Sequence, residues 1–151
     1  MDINAFISGF VEGEGCFCVS FSERSKMNTG IEVRPSFSIS QHKRSLSLLQ
    51  QVHGIFGCGG IRFVRTDNTY KYEVRSIQDL QRVVIPFFDT YPLQGAKAHD
   101  FQLFKQVCEM VSQNLHRNPV MLKELIAIAY QINCSGKRKY TEDELLRHMT
   151  R

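Results

Sequence analysis

Between Asp2 and Val11 the apolar residues Ile3, Phe6, Ile7, Phe10 and Val11 recur at helical spacing. Phe17, Val19 and Phe21 then alternate with Cys18, Ser20 and Ser22, the period of a strand with one buried face. A turn at residues 27–30 leads into a second alternating run, in which Val33, Phe37 and Ile39 interleave with Glu32, Arg34, Ser36, Ser38 and Ser40. Pro35 lies inside that run and has no N–H for a ladder, which predicts an edge position or a bulge. Leu46, Leu49, Val52, Ile55 and Phe56 return to helical spacing, and Gly57 stops them. Ile61 with Phe63, then Tyr70, Tyr72 and Val74, mark two more strands around a turn at residues 66–69. Ser76 with Asp79 reads as a capping box for a helix ending near Pro86. Longer helices are predicted at about 94–115 and 119–133. Thr141 with Glu144 opens a short last one.

The order helix, two strands, helix, two strands, helices predicts an α+β fold, αββαββα, with one four-stranded antiparallel sheet. No segment repeats and no low-complexity linker interrupts the chain, so residues 1–151 read as a single domain. Composition adds little to this picture. The chain is 42% apolar and 23% charged, as folded domains are. No apolar run is long enough for a membrane span, and the first residues lack the pattern of a secretory or transit leader. A net charge of +4 permits a polyanionic partner without requiring one. The five cysteines form no CxxC and no zinc-site spacing, so Cys16 and Cys18 are read as small packing residues.

The two faces of the sheet differ in kind. One is apolar throughout and must meet the helices. The other carries Cys18, Ser20, Ser22 and Arg24; Glu32, Arg34, Ser36, Ser38 and Ser40; Arg62, Val64 and Thr66; Lys71, Glu73 and Arg75. Short hydroxyls mixed with arginine suit base edges and phosphates better than an ordinary solvated sheet requires. A strand of about ten residues spans roughly 33 Å, about one turn of duplex DNA. A saddle-shaped sheet lying on DNA is the use this face predicts, with the basic loop Lys137, Arg138 and Lys139 adding phosphate contacts.

The first helix carries the other signal. Gly9 and Gly13, four residues apart, clear one side of it for a second backbone to approach. If the partner is the same helix in another copy, two Glu14 carboxylates meet near the two-fold axis. Crowded carboxylates call for a divalent cation, and oxygen ligands suit Mg²⁺. The stretch ISGFVEGEG, residues 7–15, resembles the LAGLIDADG signature of a family of homing endonucleases, and the element order is that family's core. The resemblance extends to Gln41, to the TYPL segment at 90–93 with Lys97, Asp100 and Phe101 beyond it, and to the basic loop.

That resemblance implies site-specific double-strand cleavage of a long pseudo-palindromic DNA target by a homodimer of the intron-encoded branch. It assigns metal binding to Glu14 and the Gly13 carbonyl. It makes Gln41 the residue that orders the attacking water and Lys97 the support for leaving charge. The helix interface falls to Ile7, Gly9, Phe10 and Gly13. Glu12 is read as a capping or structural carboxylate. Ser45 stands where the family has arginine, which leaves Lys43 or Arg44 as substitutes. Two other readings stay open: an RNA-binding intron maturase and a non-cleaving DNA-binding protein. The setting is expected to be a bacterial cytoplasm or an organelle, chloroplast or mitochondrion.

Overall fold

The computed structural model describes residues 1–133 and 138–149. Asp2 caps α1 (Ile3–Glu14), its Oδ1 accepting from the N–H groups of Asn4 and Ala5. The helix gives way to β1 (Gly15–Glu23) with no residue between them. Glycine makes that possible, because a Cβ on Gly15 would lie 2.5 Å from Val11 Cγ1. Glu14 therefore ends the helix with its side chain beside the first strand.

β1 pairs antiparallel with β2 (Ile31–His42), β2 with β4 (Thr69–Val74), and β4 with β3 (Gly60–Val64), so the sheet order is β1-β2-β4-β3. The register stacks the apolar set in rows, Phe17 opposite Phe37 and Phe37 opposite Val74. Pro35 pairs with Val19 in a part of β2 that β4 does not reach, since the β4 ladder begins at Phe37. Its missing N–H costs no ladder bond there. The edge expectation holds locally, although β2 is a central strand.

The helices cover the apolar face. α2 (Leu46–Phe56) ends at Gly57, whose φ of 70° is the left-handed cap that glycine adopts freely. α3 (Ile77–Asp79) begins with Ser76 Oγ accepting from the Asp79 N–H. It runs through a π-helical widening at Leu80–Val84 into α4 (Ile85–Thr90). Pro86 was expected to end this helix. Instead the wider turn accommodates its missing N–H, and the helix continues past it. α5 (Ala96–Ser112) and α6 (Pro119–Ala129) pack behind the sheet, and α7 (Glu142–Met149) closes the fold. α5 and α6 lie inside the predicted spans of about 94–115 and 119–133, and α7 follows Thr141, whose Oγ1 accepts from the Glu144 N–H as the capping box predicts.

Phe17 sits at the centre of the core, with the rings of Phe37, Phe88, Phe101 and Phe104 between 5.2 and 5.6 Å from its own. The cover thins at the β3 edge, where Phe63 is 42% exposed despite belonging to the apolar set. Among the described residues no helix is long and apolar enough to cross a membrane.

Candidate nucleic-acid interface and cleavage site

On the uncovered face of the sheet the chain forms a cleft of about 450 Å³. It is lined by Gly13 and Glu14 from the end of α1, by Ser20, Ser36, Ser38 and Ser40, by Lys71 and Glu73, and by Lys97 from the first turn of α5. Nine residues singled out in the sequence thus meet in one place. Register explains the meeting: Ser38 lies opposite both Cys16 and Glu73, and Ser40 opposite Lys71.

Glu14 is exposed, and among the described residues its carboxylate has no hydrogen bond and no ion pair. The other charges of the cleft are engaged. Lys71 Nζ pairs with Glu73 Oε2 at 3.4 Å, and Lys97 Nζ donates to the carbonyl of Gly15. An uncommitted carboxylate at the negative pole of a helix, beside carbonyls that the helix itself leaves unsatisfied, fits a hard divalent cation. Glu14 and the Gly13 carbonyl are the groups that could hold it. The described residues contain no cluster of three or more His, Cys, Asp or Glu, so further ligands would have to come from water, DNA or a second chain.

Gln41 is not in the cleft. It lies opposite Tyr70, one residue beyond Ser40 and so in the alternating set with Phe37 and Ile39, and its Nε2 donates to the Ser40 carbonyl at 2.9 Å. Arg44, next to Ser45, is exposed, with Nε 3.4 Å from His42 Nδ1.

At the far end of the β1–β2 hairpin Glu32 organises two arginines. Its carboxylate meets Arg24 Nε at 2.6 Å and Arg34 Nε at 2.8 Å, and Ser22 Oγ donates to it at 3.4 Å. The hydrogen bond from Arg34 holds the Glu32 carboxyl below its ordinary range, with the charge of Arg24 acting in the same direction. Glu32 therefore presents two guanidiniums on the polar face and leaves them partly exposed. On the opposite flank Arg62 pairs across from Lys71 and Val64 across from Thr69, and Arg62, Glu73 and Arg75 share a shallow recess.

Arg138 corrects one expectation. Its Nη1 donates to the Val19 carbonyl at 3.2 Å and its Nη2 to the Ala129 carbonyl at 2.8 Å, while the guanidinium lies 4.3 Å from the Tyr130 ring centre. It is turned into the fold, where it ties the segment before α7 to β1 and caps the carbonyl end of α6, and it does not reach outward for a phosphate. Lys139 is exposed, with its Nζ 5.3 Å from the Tyr140 ring centre. Lys137 lies outside the described residues.

Along α1, Gly9 and Gly13 leave open space: beyond the helix's own backbone and the adjacent residues, no described atom lies within 4 Å of where a Cβ would stand. Phe6 and Phe10 stack beside them at 6.1 Å, and Phe6 is 38% exposed. This is a bare, partly aromatic helix face. Ile7 is a correction: it is 1% exposed and belongs to the chain's own core, so it cannot meet a second helix.

The structure adds three details to the sequence reading. Cys16, read with Cys18 as a small packing residue, lines the cleft half-buried alongside Cys18, which the sheet-face reading had already put on the polar side. Strand parity was the available signal, since both fall in the same set as Ser20. Ser8, buried at a polar position, donates from Oγ to the Tyr91 carbonyl at 2.9 Å. Glu12 is structural as expected, and its partners are now visible: Oε1 accepts from the N–H groups of Gln94 at 2.6 Å and Gly95 at 2.7 Å.

A family model described as LAGLIDADG endonuclease matches residues 7–108. The chain belongs to the LAGLIDADG homing endonuclease family. Its fold matches the crystal structure of the homing endonuclease I-TnaI with a TM-score of 0.86 and 33% identity, over 97% of this chain and 95% of that one. It also matches I-SmaMI, solved bound to an uncleaved DNA target in the presence of calcium ions. There the TM-score is 0.84 and the identity 31%, over 92% of this chain and 47% of the other. Among curated relatives, a probable intron-encoded DNA endonuclease of Mycosarcoma maydis is 32% identical over 88% of this chain and 47% of its own length. The chain spans less than half the length of that protein and of the next curated relatives it matches.

Proposed function

We propose that this protein cuts both strands of DNA at a long pseudo-palindromic site, as a pair of copies docked through α1. The observation that carries this reading is the Glu14 carboxylate, without a partner among the described residues, at the end of the open helix face and opening onto a polar sheet. β2 has 12 residues, which at about 3.3 Å each is roughly 40 Å, a little over one duplex turn. Ser20, Ser36, Ser38, Ser40, Lys71 and Glu73 line the groove near the chemistry. Arg24, Arg34, Arg62 and Arg75 reach base edges and phosphates farther out. Two copies related across Gly9 and Gly13 would bring two Glu14 carboxylates together, one for each strand.

Glu14 with the Gly13 carbonyl would hold a divalent cation, Mg²⁺ in a cell, which when bound supplies Lewis-acid stabilisation of phosphate oxygens and a polarised water. The chain's own part is positional. Lys97 places a fixed positive charge within the same cleft, where it can meet charge developing on the leaving oxygen. Gln41 could order water only if its side chain leaves the Ser40 carbonyl when DNA binds. The calcium-containing I-SmaMI complex supports the cation, and the intron-encoded relatives support a mobile-intron setting.

The test is cleavage selection on a randomised or genomic DNA library with Mg²⁺, with EDTA and Glu14→Gln as controls. Magnesium-dependent cuts at one long pseudo-palindrome, absent in Glu14→Gln while binding persists, are expected. Retention of one DNA or RNA sequence without cutting would replace this reading with a binding protein or a maturase. Loss of binding in Glu14→Gln would make that residue structural.

A further inference from the structure

α5 lacks a cap of its own. Its N-cap is Gly95, which has no side chain, and no acidic residue stands in its first turn. The two N–H groups just ahead of the helix, those of Gln94 and Gly95, are instead both bound by Glu12 Oε1, from α1. The fit is close: a Cβ on Gly95 would stand 3.3 Å from Glu12 Oε2. Two further residues of α1 grip the same segment. Ser8 Oγ donates to the Tyr91 carbonyl at 2.9 Å, and Asn4 Nδ2 donates to Tyr91 Oη at 3.0 Å. Asn4, Ser8 and Glu12 are spaced by four and form one polar stripe along α1. Two residues beyond the clamped Gly95, Lys97 turns back to the end of that same helix, donating to the Gly15 carbonyl and lining the cleft beside Glu14.

We propose that Glu12 is a positioning residue for the cleavage reaction: by clamping the N–H groups of Gln94 and Gly95 it aims Lys97 into the cleft at Glu14. This rests on the proposed endonuclease reading for its consequence in catalysis, though not for the linkage itself. α1 carries both ends of the connection. Its Glu12 fixes the start of α5, and its last residue, Glu14, is the group Lys97 is aimed beside. The distance between carboxylate and ammonium is thus set within one rigid element and one short clamped segment. A carboxylate facing the positive end of α5 also lies favourably in that helix's field. Because the clamp acts through an accepting oxygen, an amide at position 12 can retain it. A general base at the same position could not be replaced by an amide, and a metal-binding carboxylate would lose its charge and much of its affinity.

The experiment needs no DNA at its first stage. Wild type, Glu12→Ala, Glu12→Gln and Gly95→Ala are treated with a limiting amine-acylating ester, and labelling of Lys97 is read by peptide mass spectrometry against Lys123 on α6. Lys97 should label about fivefold faster in Glu12→Ala, the size expected for losing one hydrogen-bonded constraint, with Lys123 unchanged. Glu12→Gln should stay near wild type. Gly95→Ala, which strains the same contact from the other side, should move Lys97 in the same direction as Glu12→Ala even if Glu12→Ala folds poorly. Unchanged Lys97 labelling in both Glu12→Ala and Gly95→Ala overturns the proposal, whether or not the protein cuts DNA. At the second stage, kcat should fall in Glu12→Ala with DNA affinity kept, and Glu12→Gln should restore it. A Glu12→Gln protein with normal Lys97 labelling and no cleavage would assign Glu12 a direct chemical role and overturn positioning. A wild type that labels as expected but never cuts would refute the endonuclease reading alone.

Discussion

Arg138→Ala tests whether the basic segment before α7 serves the fold or the DNA. The wild-type guanidinium donates to the carbonyls of Val19 and Ala129 and lies over Tyr130. A charged donor contributes about 1.5 kcal/mol or more per hydrogen bond, and a partly exposed cation–π contact about 0.5–1 kcal/mol. Allowing for solvent that would re-enter around the freed carbonyls, the truncation should destabilise the protein by roughly 2–4 kcal/mol. For a chain of this size each kcal/mol lowers Tm by about 2–4 °C, so a fall of roughly 5–15 °C is expected in a thermal melt followed by circular dichroism. Arg138→Lys should lose much of the same stability, because a point charge cannot bridge two carbonyls and lie flat on a ring at once. DNA binding provides the counter-measurement. The slope of log affinity against log salt should stay as in wild type. A Tm within about 2 °C of wild type, together with a slope shallower by about one, would refute the reasoning and return Arg138 to the phosphates.

Three further outcomes follow from the same geometry. Gly9→Leu fills the open space on α1 with a side chain that a second backbone cannot pass, and should convert a dimer to monomers by analytical ultracentrifugation; a tight dimer in that variant would remove α1 from the interface. Arg34→Ala should relax base preference at one position per half-site by about 1–3 kcal/mol, and Glu32→Ala should broaden preference at the Arg24 and Arg34 positions together, both read by binding to a mutated-site array. His116, buried between α5 and α6 with no partner for Nδ1 among the described residues, is pushed below its ordinary pKa of 6.5 by burial and by Arg117. The unfolded chain therefore takes up a proton near pH 6.5 that the fold resists, so stability present above that pH is lost as pH falls below it. Tm should drop between pH 7 and pH 5 more steeply in wild type than in His116→Gln, and equal slopes would exclude this role.

Much of this was legible from periodicity. α1, β1 and β2 are strict 3.6- and 2-residue patterns, and the parity that assigns Phe17 and Phe37 to the core also assigns Ser20 and Ser38 to the cleft. Where the reading failed, the sequence held two physically equivalent choices. α1 has apolar residues on two faces, Ile7 with Val11 and Phe6 with Phe10, and a spacing rule cannot say which pair goes inward. The core took the aliphatic pair and left the aromatic one partly exposed. A basic residue in a loop is ordinarily solvated, and only the three-dimensional neighbourhood of Val19, Ala129 and Tyr130 reveals that Arg138 has inward partners. Pro86 is a helix stop in isolation, and it took the packing of α3 and α4 on the sheet to hold a continuous helix through a π-helical turn. Gln41 was placed by its position at the end of β2. Strand parity argued against it all along, since it shares the set of Phe37 and Ile39.

The three uses of α1 explain why its sequence looks unfavourable for a lone helix. At roughly 100° per residue, Ile3, Ile7 and Val11 point one way, Asn4, Ser8 and Glu12 about a third of a turn on, and Phe6, Gly9, Phe10 and Gly13 the remaining third. The first set is sunk in or packed against the core, the second grips residues 91–95, and the third is open at Phe6, Gly9 and Gly13, with Phe10 half-buried against the core. A helix with all three faces committed in this way carries no Lys or Arg, and two glycines in its interior weaken it by about 1 kcal/mol each. Contacts within the chain, made by the core set and the polar stripe, offset part of that deficit, and the proposed docking of a second copy would supply the rest. The order of construction follows: the core and the clamp can form in a single copy, placing Glu14 and Lys97 before any partner arrives. The proposed docking on the third face would then have only to bring together two sites that are already built. Damage to that face should accordingly abolish paired cutting while leaving each copy folded, its cleft intact and its Lys97 labelling unchanged. Damage to the polar stripe should do the reverse, keeping the dimer and loosening each site within it.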